Sequence, residues 1–246
     1  MDNLKKDLKE LKNIVKVTET NIRQIPSTDN TDYLTGIWEK RKGEIPTVNL
    51  DAIGIRKRYQ PCSFDNFKGK DSLVSDLKNY DGDGLVLRGK TGTGKTHLAV
   101  ALMKWWRERK WLEYCEGAIQ VLGEGDRGGY PQFTFSMRFI TVPDLLLQIR
   151  DSFRDGSKVT ERKLIEEFAN VPFLVLDDLG SEKASEYAIT TLYILIDRRD
   201  AGMMDTVITT NLTQAEIEEK LNARIASRLA GWDNKMIDMV DYRKVK

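Results

Sequence analysis

Short apolar runs alternate with longer amphipathic stretches along most of the chain, and this alternation predicts an α/β protein. The runs at 85–87, 173–176 and 206–210 have the length and composition of buried strands. Uninterrupted apolar strands are typical of a parallel sheet that is covered on both faces. The stretch that follows Thr96 and the region 142–168 have helical spacing instead. The pattern therefore predicts a parallel central sheet with helices packed on it.

The N-terminal region has a different periodicity. Apolar residues recur there at alternating four- and three-residue steps, with one interruption at Thr18: Leu4, Leu8, Leu11, Val15, Ile22 and Ile25. This predicts an amphipathic helix with a heptad-like seam, then a second short helix near 33–41 and a linker at 43–47. The seam needs burial either on the rest of the chain or on a partner. Because a linker separates it from the core, we expect residues 1–50 to form a helical partner-binding appendage and linker, and residues 51–246 to form the main domain.

Residues 89–96 match the phosphate-binding pattern G-x-x-x-x-G-K-[ST], and they lie between a predicted strand and a predicted helix. Glycines let successive backbone N–H groups turn inward around phosphates, and the helix N-terminus adds its dipole. Lys95 is expected to reach the β- and γ-phosphates, and the Thr96 hydroxyl to ligate Mg²⁺. The residues of this segment expected to contact the nucleotide are Gly89, Thr91, Gly92, Thr93, Gly94, Lys95, Thr96 and His97. The segment predicts that the chain binds ATP together with Mg²⁺.

Two acidic residues follow the apolar run at 173–176. Asp177 and Asp178 would lie at the carboxyl edge of a parallel sheet, where open α/β sheets bind ligands. We interpret Asp177 as a residue that holds Mg²⁺ through water, and Asp178 as one that orients or deprotonates the attacking water. The alternative is that Asp177 caps the following helix.

Three further polar residues have a chemistry that suits ATP hydrolysis. Asn211 follows the run at 206–210, where its amide could hold a hydrolytic water; its alternative role is that of a turn residue before a helix at Thr213. Arg224 and Arg228 lie four residues apart and therefore on one helical face. A planar, permanently charged guanidinium suits the negative charge of a phosphoryl-transfer transition state. Surface salt bridges are the alternative for this pair.

Composition and charge narrow the classes of partner. Of the 246 residues, 40% are hydrophobic and 31% are charged, as in an ordinary globular protein. The 39 Lys and Arg residues nearly cancel the 38 Asp and Glu residues, so a nucleic-acid contact must come from a local patch or from assembly. Because no apolar run has membrane-spanning length, we expect a cytoplasmic protein without a membrane partner. Cys62 and Cys115 lack metal-site spacing, and we expect reduced thiols.

The motifs as a set resemble those of a known family. In chain order they are Arg58-Tyr59, FDNF at 64–67, GKTGTGKTHLA from Gly89, LDDLGSE at 176–182, ITTNL at 208–212, RIASRL at 224–229 and DYR at 241–243. The set resembles the AAA+ ATPases of the DnaC/DnaI helicase-loader and IstB-type group, and it extends over residues 55–245. The P-loop alone is shared with many NTPases, whereas the LDDLGSE and RIASRL segments at these distances narrow the resemblance.

The resemblance implies an AAA+ P-loop fold of three layers with a parallel central sheet. A C-terminal lid domain is not expected, because the sequence ends three residues after Arg243. ATP would lie at a boundary between identical subunits, with Arg228 as an arginine finger inserted in trans and Arg224 as support for that interface. Asn211 would be the first sensor, and Arg243 a second, sensor-like arginine. The chain would then be an ATPase whose turnover rises on assembly into a homo-oligomer.

The stretch at 117–136 departs from the family pattern. Its glycines and Pro131 predict a loop or hairpin. Tyr130, Phe133 and Phe135 alternate there, as in a half-buried strand, and stacking on single-stranded bases is the alternative.

Two other regions raise the question of nucleic-acid contact. Residues 104–111 interleave tryptophan with basic residues, but their helical spacing predicts that Trp105 or Trp106 packs on the sheet. Arg150 and Arg154 are candidates for contact with the backbone of single-stranded DNA.

The resemblance therefore implies an ATP-dependent helicase loader. It would assemble on a replicative DnaB-type helicase, through residues 1–40, and on single-stranded DNA, and would use ATP binding and hydrolysis as a switch. The nearest alternative is an IstB-like transposition helper that recruits a transposase to DNA. Two other classes stay open: a metabolic P-loop phosphotransferase, and an adaptor that holds ATP without hydrolysing it.

Overall fold

A computed structural model describes residues 39–40, 42–123, 136–153, 160–181 and 185–241. For residues 117–123 it describes the backbone only. The predictions for the N-terminal seam, for the aromatics at 130, 133 and 135, for Arg154 and for Arg243 fall outside these residues. The chain divides into two compact units, one of residues 47–109 and 134–246 and one of residues 1–46 and 110–133.

The larger unit contains a sheet of five parallel strands in the order β2-β3-β4-β1-β5. The strands are β1 (Gly84–Arg88), β2 (Met137–Thr141), β3 (Phe173–Leu179), β4 (Thr206–Thr210) and β5 (Asp233–Met236). The three runs identified from the sequence form the adjacent central strands β1, β4 and β3. Strand β2 ends at Thr141, because the Thr141 side chain accepts a hydrogen bond from the N–H of Asp144 and so caps the next helix.

Seven α-helices connect and cover these strands in the described part of the chain. They are α1 (Asp71–Lys78), α2 (Lys95–Gly123), α3 (Val142–Asp151), α4 (Glu161–Asn170), α5 (Glu186–Ala201), α6 (Gln214–Lys220) and α7 (Ala223–Gly231). Hydroxyl or amide side chains cap most of their N-termini, and Thr213 with Glu216 forms a complete capping box at α6. Helix α2 runs on to Gly123, so the backbone of the 117–136 stretch is helical in its first seven residues.

Apolar side chains alternate between two cores, one on each face of the sheet. In β1, Leu85 and Leu87 pack with helices α1 and α2, whereas Val86 packs with α3 to α7. In β3, Val175 belongs to the first core, and Leu174 to the second. Successive strand residues point to opposite faces, so a sheet covered on both sides needs apolar residues at every position. The predicted three-layer α/β fold is confirmed.

Trp105 and Trp106 of α2 pack in or against the first core. Trp106 is 8% exposed, its ring lies 4.9 Å from the ring of Phe173, and its indole N–H donates to Asp205 at 2.7 Å. Trp105 meets Phe64 edge to face and donates to a backbone carbonyl at Lys78. The prediction that at least one tryptophan packs on the sheet is therefore confirmed.

Arg199 fastens the second core at the end of the sheet opposite the P-loop. It is fully buried, and burial lowers the pKa of its guanidinium to about 10. It donates to the carbonyls of Phe168 and Val171 at 2.8 Å and to the carbonyl of Asp205 at 2.7 Å. These are carbonyls at the end of α4 and before β3 and β4, so one side chain ties together the backbone of three segments.

The described part of the smaller unit contains an ion-pair cluster. Lys42 lies 3.1 Å from Glu39 and 3.7 Å from Glu116, and the hydrogen bond that it donates to Glu39 raises the pKa of the Lys42 ammonium. Cys62, in the larger unit, and Cys115 are both buried, and neither forms a disulfide. Within the described residues, no helix is both long and apolar enough to span a bilayer.

Candidate nucleotide site

The P-loop connects the buried strand β1 to the first turn of α2. Three of its glycines have positive φ: 155° at Gly89, 83° at Gly92 and 92° at Gly94. At Gly92 a Cβ atom would lie 1.8 Å from a carboxylate oxygen of Asp241, and at Gly89 it would lie 2.3 Å from the carbonyl oxygen of Ile237. Only glycine therefore fits these two positions, both for its conformation and because the segment after β5 lies against the loop.

Lys95 is held inside the loop by three acceptors. Its ammonium lies 2.9 Å from the carbonyl oxygens of Gly89 and Lys90 and 2.6 Å from Oδ1 of Asn211. The side chain is only 5% exposed. Asn211 comes directly after β4, so pairing of β1 with β4 brings the loop lysine and this amide together.

Asp177 and Thr96 form the second contact of the site. The Thr96 hydroxyl lies 3.0 and 3.1 Å from the two carboxylate oxygens of Asp177. The Thr209 hydroxyl donates to Asp177 at 2.6 Å. Burial, aided by the charge of Asp178, raises the pKa of Asp177 to about 6, although the bonds from Thr209 and Thr96 oppose that rise. The alternative that Asp177 caps the next helix is wrong, since Ser185 caps α5.

Asp178 is turned out of the regular strand. Its φ is 60°, and the register of β3 against β4 shifts between Leu176 and Leu179. The Asp178 N–H donates to the hydroxyl of Thr209 at 2.9 Å. Aspartate tolerates left-handed backbone better than most residues, and such conformations are frequent in active sites. The bulge leaves Asp178 partly exposed beside the buried Asp177.

The geometry fits a nucleotide with a divalent cation. A threonine hydroxyl and a carboxylate that already contact each other are oxygen donors of the kind Mg²⁺ prefers beside phosphates. The carboxylate is buried in a position that disfavours its charge, as expected of a group that a cation would stabilise. The lysine ammonium, now bound to carbonyls and an amide, has the charge to receive phosphate oxygens.

His97 makes contacts that face away from the loop. Its Nε2 lies 2.8 Å from the carbonyl oxygen of Ser63, and its ring meets Phe67 edge to face at 5.3 Å. Lys104 in the same helix donates to the carbonyl of Cys62 at 2.9 Å. The segment that carries the FDNF motif is therefore fastened to α2, with Phe64 and Phe67 in the core.

The two arginines of α7 contact α5. Arg228 donates to Oδ1 of Asp197 from Nη2 at 2.7 Å and from Nε at 3.0 Å, and lies 3.6 Å from Asp200. The Arg224 guanidinium lies 5.6 Å from the centre of the Tyr193 ring. The Arg228 side chain is 45% exposed, so both groups are accessible on the outer face of the helix pair.

Sequence reasoning missed two residues of this site. Thr209 is fully buried and contacts both acidic residues. In the sequence, however, nothing distinguishes it from any other β-branched strand residue. Asp241 was identified only as part of a closing motif, and its contact with Gly92 depends on where the segment after β5 runs. Neither contact has a local signature, because each joins segments far apart in sequence.

Relatives with assigned names are similar over most of the chain. No protein-family model matches it. The replicative helicase loader DnaC of Escherichia coli K12 is 26% identical over 246 aligned positions, which cover 89% of this chain and 90% of the relative. The crystal structure of the DnaC helicase loader superposes with a TM-score of 0.56 at 26% identity, and covers 74% of this chain and all of that one.

A more distant structure supports the same fold. The replication initiator DnaA, bound to AMPPCP and single-stranded DNA, has a TM-score of 0.55 at 16% identity, and covers 76% of this chain and 52% of the initiator. At that identity the likeness concerns the fold alone. The resemblance predicted from the sequence, to AAA+ ATPases of the DnaC/DnaI helicase-loader group, is therefore confirmed.

Proposed function

We propose that this chain is an ATP-dependent helicase loader that assembles on a replicative helicase and single-stranded DNA. The proposal rests on two observations together. Lys95 and Thr96 of the P-loop contact Asn211 and Asp177, and the chain is similar to a replicative helicase loader over about nine-tenths of both chains. ATP binding would favour the assembled state, and hydrolysis would release the partner.

In this proposal three residues hold the nucleotide and its metal. Lys95 exchanges its contacts with backbone carbonyls for the β- and γ-phosphate oxygens, and the P-loop N–H groups surround the phosphates. Thr96 and Asp177 would hold Mg²⁺. The bound ion would supply charge neutralisation at the phosphates. Thr209 keeps the Asp177 carboxylate in place through its 2.6 Å hydrogen bond.

Hydrolysis would require groups from two subunits. Asp178 orients or deprotonates the attacking water, and Asn211, 2.6 Å from Lys95, fixes its position as the first sensor. Arg228 enters the neighbouring subunit's site, supported by Arg224. Support for this assignment comes from the accessibility of Arg228 and from its contacts, which go to Asp197 and Asp200 of α5. Arg243 would act as a second, sensor-like arginine.

The partner contacts would be divided between two regions. Residues 1–50 would form the appendage that docks on a DnaB-type helicase, with most contacts from residues 1–40. The main domain, residues 51–246, would bind ATP and self-associate. Arg150, which is exposed on α3, is a candidate for contact with single-stranded DNA.

The transposition helper is the second candidate, because its ATPase core would look nearly the same. The relatives named as replicative helicase loaders favour the loader. A phosphotransferase would need a second substrate pocket and no assembly. An ATP-holding adaptor would have the same P-loop but no turnover in any assembly.

The deciding experiment uses the Asp178→Asn variant to hold the ATP-bound state. Purified Asp178→Asn protein is mixed with the replicative hexameric helicase of the same organism, with ATP, ADP or neither, and complexes are sized by light scattering. We expect a complex that requires ATP and that disappears when residues 1–40 are deleted. Lys95→Ala, in which ATP binding should be strongly weakened, is the control. A helicase that stays unbound in every nucleotide state would contradict the loader proposal.

A further inference from the structure

An arginine lies directly before the P-loop in a buried position. Arg88 is the last residue of β1, is 7% exposed and precedes Gly89. Its Nε donates to Oδ1 of Asn234 at 2.8 Å, and its Nη2 donates to Oε1 of Gln214 at 2.5 Å. Both partners are neutral amides, and burial lowers the pKa of the guanidinium. A buried cation is costly unless hydrogen bonds satisfy it, and these two amides supply them.

Both amide side chains also donate a hydrogen bond to α7. The Gln214 side chain donates to the carbonyl of Ala226 at 2.5 Å, and the Asn234 side chain donates to the carbonyl of Leu229 at 3.0 Å. Ala226 and Leu229 lie on either side of Arg228 in the helix. The Leu229 carbonyl is one of the last four of the helix, which lack partners within it, and Gln214 adds a second donor at Ala226. These two donors fasten the part of α7 that carries Arg228.

The Arg228 side chain itself has a weaker restraint. Its bonds to Asp197 lie on the surface, where an ion pair contributes little and exchanges readily. The position of its Cα therefore depends on α7. Core packing of Ile225 and Leu229 holds this helix, and the two amides bound to Arg88 add hydrogen bonds to it. An arginine that stabilises a transition state must be placed within a fraction of an ångström.

We propose that Arg88, Gln214 and Asn234 are positioning residues that hold Arg228 in place for the nucleotide site of the neighbouring subunit. Strand β1 leads into the P-loop of one subunit, and α7 of the same subunit carries the arginine for the next subunit's ATP. The two elements would then move as one body. Nucleotide bound in one site would in this way set the geometry of the next. This inference rests on the trans role given to Arg228 above.

Two substitutions separate positioning from folding. Asn234→Asp and Gln214→Glu keep an acceptor oxygen for Arg88 and place a negative charge beside it. Each replaces the N–H donor to α7 with an oxygen, and Asn234→Asp also loses the donor to the Trp232 carbonyl. The new ion pair with Arg88 offsets these losses. We therefore expect both variants to unfold at about the wild-type temperature and to bind ATP as the wild type does. Asn79→Asp, at the exposed end of α1, adds the same charge away from α7 and is the matched control.

The test mixes two kinds of subunit. Arg228→Ala chains keep an intact site of their own but offer no arginine, and Asp178→Asn chains offer the arginine but do not turn over ATP. Turnover restored by mixing them reports Arg228 acting in trans. Asn234→Asp or Gln214→Glu is then added either to the chain that offers the arginine or to the chain that hydrolyses ATP.

We expect the added substitution to lower the restored turnover about 10- to 100-fold in the arginine-offering chain, and to leave it unchanged in the hydrolysing chain. Full restoration by the substituted arginine-offering chain would overturn the inference. Equal loss in both chains would also overturn it, because the three residues would then only support the fold. If unsubstituted chains restore nothing on mixing, the trans role of Arg228 fails, and that outcome is distinct from the other two.

Discussion

The P-loop site and the arginine face of α7 differ in how completely one chain builds them. At the P-loop, Lys95 is 5% exposed and Asp177 is 2% exposed, and each has its partners within 3.1 Å. On α7, Arg228 is 45% exposed and held by surface carboxylates. Buried, mutually bonded groups are preorganised, whereas exposed ion pairs exchange partners easily. This difference agrees with the proposed function, in which one chain would bind nucleotide and a second chain would supply the arginine for hydrolysis.

The largest expected effect separates these two regions. Arg228→Ala should lower ATP turnover of the assembled protein about 1,000-fold, because an arginine supplied in trans stabilises transition-state charge. Affinity for a fluorescent ATP analogue should stay at the wild-type level. Arg198→Ala, on an exposed position of α5, is the control. Wild-type turnover in the Arg228→Ala protein would remove the arginine from the mechanism.

A substitution in the P-loop should instead weaken ATP binding itself. Lys95→Ala should weaken ATP binding about 100-fold or more, since the phosphates lose a buried charged partner. Isothermal titration of the isolated chain measures this loss. Lys90→Ala removes an exposed lysine of the same loop and should change the affinity little. Similar affinities for the two variants would mean that the loop backbone alone binds the phosphates.

A third prediction concerns the stability cost of the buried carboxylate. Burial raises the pKa of Asp177 to about 6, so the folded state disfavours the ionised form. Without metal, stability is therefore lost as the pH rises from about 4 through about 6, and Asp177→Asn escapes this loss. Over that pH interval, we expect the free energy of unfolding of Asp177→Asn to rise by about 1–3 kcal/mol relative to that of the wild type. This range follows from a shift of about two pKa units. Urea unfolding at several pH values tests this, and a constant difference between the two proteins would contradict it.

The smallest expected effect is at the surface partner of Arg228. Asp197→Asn should release the guanidinium from its 2.7 Å bond and raise turnover about two- to fivefold at protein concentrations that limit assembly. At saturating concentration the two proteins should be equal. Asp151→Asn, in an exposed position on α3, is the control. A lower turnover in Asp197→Asn at all concentrations would mean that the pair aligns Arg228 rather than restrains it.

The contrast between the two regions extends to what sequence reasoning could reach. The P-loop, the acidic end of β3 and Asn211 were identified because each is a local motif at the end of a buried strand, and the structure places them side by side. His97 belongs to the same motif, yet its ring contacts Ser63, since the preceding segment folds back on α2. A motif gives the backbone path but not the direction of every side chain in it.

By itself the sequence determined the parallel sheet, its covering helices, the phosphate loop and the family resemblance. These follow from periodicity and short motifs, in which residues a few positions apart share one element. The tertiary structure alone decided that Thr209 joins the two acidic residues, that Asp241 lies on Gly92 and that Arg88 connects the P-loop strand to α7. Arg88 and Asn234 are 146 residues apart, and only the pairing of β1 with β5 brings them together. Contacts of that kind depend on strand order, which no local pattern encodes.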